Sequence, residues 1–173
     1  NISLKNLENC INSDLANNYG NLCQRVFSFV KNYCNNKVVS TQDLSIEDKK
    51  LIKQTKVLEK DLRNFMNNQD LNSYIKSVID ISFLTNKYIN DEEPWKFKKN
   101  NIKKMNNILH LSIVQIAKIS TLLNPIIPEA TTKVLQALKI NTKSENLSFL
   151  DGKEILPNEI QLSELSILFK KIK

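Results

Sequence analysis

Residues Ile102–Leu138 read IKKMNNILHLSIVQIAKISTLLNPIIPEATTKVLQAL. Ile102, Met105, Leu109, Ile113, Ile116, Ile119 and Leu123 recur at steps of three and four, the spacing of one helix face. The prolines at 125 and 128 break this helix. Pro128 suits the first turn of another, reaching about Leu138. A long apolar stripe of this kind must be covered by other helices, and the chain supplies them.

Upstream, Leu15, Tyr19, Leu22, Val26, Val30 and Tyr33 mark a first helix over roughly residues 12–35. Residues 35–44 lose periodicity and read as a connection. Ser45 with Asp48 makes an approximate capping box for a second helix to about Asn67, with Leu51, Leu58, Leu62 and Phe65 inward. Asp70 can cap a third, with Leu71, Tyr74, Val78, Ile81 and Tyr88 inward. It ends near Asp91, because Pro94 disfavours helical geometry at Glu93. The fourth helix is expected to follow Pro94. Beyond Thr142 the chain turns irregular: DGKEILPNEI suggests a turn and short extended pieces, and LSELSILFKKIK a short helix or docking strand. The expected fold is all-α: an antiparallel bundle of about five helices over residues 1–141, with an irregular C-terminal extension over 142–173.

Composition agrees. The 173 residues suffice for one domain with a sizeable core, and two glycines and four prolines leave few turn breakers. No apolar run has the length of a membrane span and no signal-peptide pattern opens the chain, so no membrane partner is expected. Because the first residue is Asn1, the chain is expected to be a piece of a longer protein. The net charge of +7 points weakly to a polyanion, since abundant Lys, Asn and Ile also follow from A/T-rich codons. Against that background Arg25 and Arg63 carry more information than any one lysine. Cys10, Cys23 and Cys34 form no CxxC pair and read as small hydrophobes in a reducing cytosol, which makes the expected location cytoplasmic.

Catalytic signals are sparse. Two glycines build no phosphate loop, and His110, the single histidine, reads as a bundle-edge residue. No catalytic or metal site is expected. Asp91, Glu92 and Glu93 read as solvated acids at a helix end. A binding surface is the better expectation, and the first helix offers one. Asp14, Asn18, Asn21 and Arg25 fall within an arc of roughly 60° at about 100° per residue. Carboxylate, amides and guanidinium together can pair with the polar edges of bases. The same stripe also reads as an ordinary solvated face.

The segment NDEEPWKFKKN, residues 90–100, holds the only tryptophan. Trp95 can plug the end of the core. It can also serve as a base-stacking platform, contributing about 1–3 kcal/mol per base, with Lys96, Lys98, Lys99, Lys103 and Lys104 on the helix beyond to attract phosphates.

Four stretches together resemble one family. SDLANNYGNLCQRV (residues 13–26) is similar to the "DLAN…GN…R" helix of methionyl-tRNA synthetases, and NKYINDEEPWKFKK (86–99) to their "N-x-Y-I…PW" segment. LLNPIIPEATTKVLQAL (122–138) resembles their proline-bounded helix, and LFKKIK their "LFPRI" tail, with Lys170 in place of proline. The resemblance implies a helical anticodon-binding domain that recognises the CAU anticodon of methionine tRNA. It carries the stacking tryptophan onto Trp95, the first-helix arginine onto Arg25 and polar positions onto Asp14 and Asn18; Asn21, in the GN pair, either contacts RNA or fixes helix packing. It also implies an upstream catalytic domain that uses ATP and methionine and bears a zinc-binding insertion, with no cofactor in this fragment, and a tail that packs toward that domain. Two other readings stay open here. One is the related bundle of another class I synthetase, such as the cysteine or valine enzyme. The other is a helical protein-interaction scaffold with Trp95 as its anchor.

Overall fold

The computed structural model describes residues 5, 6, 9, 13, 17–140 and 147–165. Helix α1 spans Gly20–Cys34, following a π turn at residues 17–19. It ends where Asn35 and Asn36 enter the left-handed region at φ 52° and 59°. A short strand, β1 (Lys37–Val39), leads to α2 (Ile46–Glu59). The Ser45–Asp48 capping box is present: Asp48 N donates to Ser45 Oγ (3.1 Å) and Ser45 N to Asp48 Oδ2 (2.9 Å). Then come α3 (Leu62–Asn67), α4 (Leu71–Glu92), a 3₁₀ turn at Pro94–Phe97, α5 (Ile102–Leu123) and α6 (Pro128–Ala137). Asp70 caps α4 through Ser73 N (3.2 Å), and Asn101 caps α5 through Lys104 N (3.1 Å).

The stripe read from 102–123 is the centre of the bundle. Leu109, Ile113, Ile116, Ile119 and Leu123 are essentially without solvent contact, covered by α1, α4 and α6. Each such aliphatic side chain stabilises the fold by about 1.5–3 kcal/mol on burial. Two tyrosines satisfy their hydroxyls inside this core: Tyr19 with Ser120 Oγ (2.5 Å) and Tyr74 donating to the Leu122 carbonyl (2.6 Å). Burial pushes the Tyr74 phenol up to about 12. Cys23 is buried and its thiol pKa is raised by that burial; Cys34 is half-buried, and both are free. Cys10 lies outside the described residues.

Four expectations need correction. The second helix is two, α2 and α3, separated by a turn at Lys60–Asp61 that swings Leu62 fully into the core. The fourth helix begins not after Pro94 but at Ile102, so Lys96, Lys98 and Lys99 lie in the turn ahead of it. The stripes also overreach at helix ends, where no neighbour covers them: Tyr33 is 55% exposed, Ile102 56%, and Leu71 is exposed. Finally, residues 35–44 are not a plain connection. β1 pairs antiparallel with β2 (Glu159–Gln161), Val38 opposite Ile160, and both point inward.

That ribbon brings the C-terminal segment back onto the bundle. Leu162 N donates to Asn36 O (2.8 Å) and Ser163 N to Ala137 O (2.9 Å). His110 Nε2 donates to the Pro157 carbonyl (2.8 Å), a structural latch at the bundle edge. A 3₁₀ turn at Ser148–Asp151 buries Phe149 and ends at Gly152, whose φ of 90° suits glycine. The tail LFKKIK lies outside the described residues.

Candidate nucleic-acid interface

The turn between α4 and α5 is built to present an aromatic ring. α4 stops because Glu93 adopts left-handed geometry (φ 48°, ψ 62°), not the extended conformation the following proline usually imposes. For a non-glycine residue this costs roughly 1–2 kcal/mol. The Glu93 carboxylate pairs with Lys96 across the turn. Pro94 is buried behind it, and Trp95 is left half-buried, packed against the core.

The guanidinium of Arg25 lies over Trp95, its central carbon 5.3 Å from the ring centre. A cation so placed contributes about 0.5–1 kcal/mol at an exposed site. Partial burial lowers the pKa of the Arg25 guanidinium from its usual value. Asn21, one turn earlier on α1, is exposed on the same side as Arg25.

Asn18 does something else. Its side-chain oxygen accepts from Ser82 Oγ and from Asn86 Nδ2 (3.1 Å), so it ties the start of the first helix to α4. Asp14 lies outside the described residues. Thus Arg25 and Trp95 come together, Asn21 stands beside them, and Asn18 is turned toward the packing of α1 on α4.

The acids before the turn have partners. Asp91 pairs with Lys87 (2.5 Å), Glu93 with Lys96, and Glu92 is half-buried, its pKa raised by desolvation against the pull of Lys104. The lysines do not act as one set either. Lys98 sits over the Tyr33 ring (4.0 Å) and Lys104 over Phe97 (4.5 Å). Lys103 and Lys104 occupy the first turn of α5, which carries no acid. The helix dipole disfavours cations there, while the Phe97 ring beneath Lys104 and the nearby Glu92 carboxylate favour that one. The aromatic residue that sequence reasoning misplaced is Tyr33, read as a core position and found at the surface beside Lys98.

Among the described residues no group of His, Cys, Asp and Glu is arranged to hold a metal ion, and no helix is long and apolar enough to cross a membrane.

Residues 38–173 match the family described as the anticodon binding domain of methionyl tRNA ligase. Trp95 falls inside that span and Arg25 before it. The relatives found among curated proteins include the methionine–tRNA ligase of Fusobacterium nucleatum, 30% identical over 174 residues, covering 98% of this chain and 27% of that protein. That of Borrelia turicatae is 33% identical over 163 residues, covering 94% of this chain and 21% of the relative. That of Methanosphaera stadtmanae is 25% identical, covering 94% and 26%. The chain therefore spans about a quarter of the length of these relatives. The apo crystal structure of Mycobacterium tuberculosis methionyl-tRNA synthetase shares the fold, with a TM-score of 0.84 at 20% identity over 99% of this chain and 35% of that one.

Proposed function

This chain belongs to the family of anticodon-binding domains of methionyl-tRNA ligase, and on that premise we propose that its Arg25–Trp95 corner receives the CAU anticodon of methionine tRNA. The observation that carries the reading is the placement of the Arg25 guanidinium over the Trp95 ring. The exposed part of the indole stacks on an anticodon base, which the Arg25 guanidinium shifts to admit, contributing about 1–3 kcal/mol. The guanidinium, a fork of five donors, reads base edges or phosphate that an ammonium would only attract. Asn21 adds an amide on the same side, Asp14 an acceptor for an exocyclic amine, and Asn18 holds the helix that presents them. Lys103 and Lys104 draw the phosphates toward the turn.

In the whole protein we assign residues 1–141 to RNA binding and 142–173 to an extension that packs on the bundle and toward an upstream catalytic domain. That domain would bind ATP and methionine and charge the tRNA in the cytoplasm. In support, a Mycobacterium tuberculosis relative of the same fold is described as bound by methionyl-adenylate. Zinc, implied by the family's insertion, would belong to the catalytic part as well.

Trp95 is the only tryptophan, so its emission reports one place. A titration with the methionine-tRNA anticodon stem-loop should quench it, and a loop with CAU scrambled should not. Equal quenching by both loops, or none by either, overturns the reading. Affinity should also fall steeply with salt, whereas an apolar peptide groove would be nearly indifferent.

A further inference from the structure

Tyr33 lies in the last turn of α1, eight residues beyond Arg25, with Phe29 midway. It packs little: the residue is 55% exposed, and its ring touches Phe29 at 4.9 Å between centres, the planes tilted by 45°. Over this ring stands the Lys98 ammonium, 4.0 Å from its centre. Lys98 comes from the same turn that carries Trp95. The Arg25–Trp95 arrangement is thus repeated once: a cation on an aromatic ring, one partner from α1 and the other from the α4–α5 turn.

Neither the core nor helix capping requires this second pair. A nucleotide satisfies both of its members together, because its base offers a face to the ring and its phosphate an oxygen to the ammonium. Eight residues of helix advance about 12 Å. A stacked strand advances about 3.4 Å per nucleotide. The α1 members of the two pairs, Arg25 and Tyr33, are therefore separated by the length of about three or four stacked nucleotides.

We infer that Tyr33 and Lys98 form a second nucleotide subsite, holding a residue of the same RNA loop three or four positions along the strand from the base on Trp95. This rests on the anticodon-binding role proposed above. On binding, Lys98 moves from the ring to a phosphate and the vacated face of Tyr33 takes the base. The subsite fixes the path of the loop rather than its sequence, since every base has a face to stack.

The test uses Trp95 quenching by the CAU stem-loop. Tyr33→Ala should weaken binding about fivefold or more, with the plateau of quenching unchanged, and Tyr33→Phe should restore it. Lys98→Gln should lower the slope of log affinity against log salt by about 0.7, one phosphate contact on a single strand; Tyr33→Ala should leave that slope alone. Loops made abasic one position at a time should show a sensitive position three or four nucleotides from the quenching base, and Tyr33→Ala should abolish that sensitivity. Circular dichroism checks that the variants stay helical. Wild-type quenching with Tyr33→Ala binding equally well overturns this subsite and leaves the Trp95 reading intact. No specific quenching in the wild type overturns both.

Discussion

Arg25 reaches across from α1 to cover Trp95 at 5.3 Å, which joins the first helix of the bundle to the turn between α4 and α5. The pair has separable parts. Arg25→Ala removes charge and fork and should weaken stem-loop binding by about 1.5–3 kcal/mol, the range for hydrogen bonds to charged groups. Arg25→Lys restores charge without the planar fork and should recover only part of it. Fluorescence titration measures both. Full recovery by lysine would mean that the guanidinium geometry is not used.

A buried pair supports the same end of the bundle from inside. Tyr88 donates to Asp48 Oδ1 (2.5 Å), and the other oxygen of Asp48 accepts from Ser45 N. Both side chains are buried, and burial, followed by the neighbouring carboxylate, raises the Tyr88 pKa. Tyr88→Phe leaves one carboxylate oxygen short of its donor and should cost about 1–3 kcal/mol. Urea unfolding should show a lower midpoint at unchanged slope, with RNA affinity intact while the chain is folded. Equal stability would mean that water replaces the tyrosine.

These two relationships differ in how far the sequence announces them. The Ser45–Asp48 box, the Asp70 cap and Pro128 at a helix start are local chemistry, legible three residues at a time. The stripe of α5 is legible because burial repeats over six turns. The overreach of such stripes, at Tyr33 on α1 and at Ile102 on α5, has a simple cause, since periodicity records which way a side chain points and not whether a neighbour stands there. The three-residue strands β1 and β2 are too short for a period of two to register. Arg25 and Trp95 meet only in the folded chain: the polar arc of the first helix points to Arg25 and the lone tryptophan to Trp95, but no spacing joins the two. Asn18 sits on the polar arc of the helical wheel, yet Ser82 and Asn86 claim its side chain. Those partners come from another helix, which no wheel shows.

The second arginine has a structural use. Arg63 donates from Nη1 and Nη2 to the two oxygens of Asp151 at 2.8 and 2.9 Å, clasping α3 to the C-terminal segment. The hydrogen bond from Arg63 holds the Asp151 pKa below its ordinary value. A carboxyl depressed in the folded state adds stability above its unfolded pKa, and loses it as pH falls through the folded one. Arg63→Gln should therefore move the Asp151 titration upward, followed by NMR. Exchange of the Gly152 and Lys153 amides, which close the adjoining turn, should quicken. An unmoved titration would show that the clasp does not form in solution.

Glu59 and Lys118 give the opposite sign. Their side chains are nearly buried, with Nζ and Oε1 3.4 Å apart, and this oxygen has no hydrogen-bond partner among the described residues. Desolvation raises the Glu59 pKa, and the charge of Lys118 only partly offsets it. The folded carboxyl thus holds its proton more tightly than the unfolded one. Stability should fall as pH rises from the ordinary glutamate pKa toward the raised value, and recover as pH is lowered again. Glu59→Gln should flatten that dependence. Lys118→Met strands a buried carboxylate and should cost about 3 kcal/mol above the raised pKa. That is the low end for such a loss, because the pair lines a cleft of about 400 Å³ between α2, α5 and the C-terminal segment. The double variant Glu59→Leu/Lys118→Met should regain most of it, since two apolar side chains carry no desolvation penalty. Urea unfolding of the three variants across pH measures this. If Lys118→Met proves no worse than the double variant, the carboxylate is not stranded and water in the cleft solvates it.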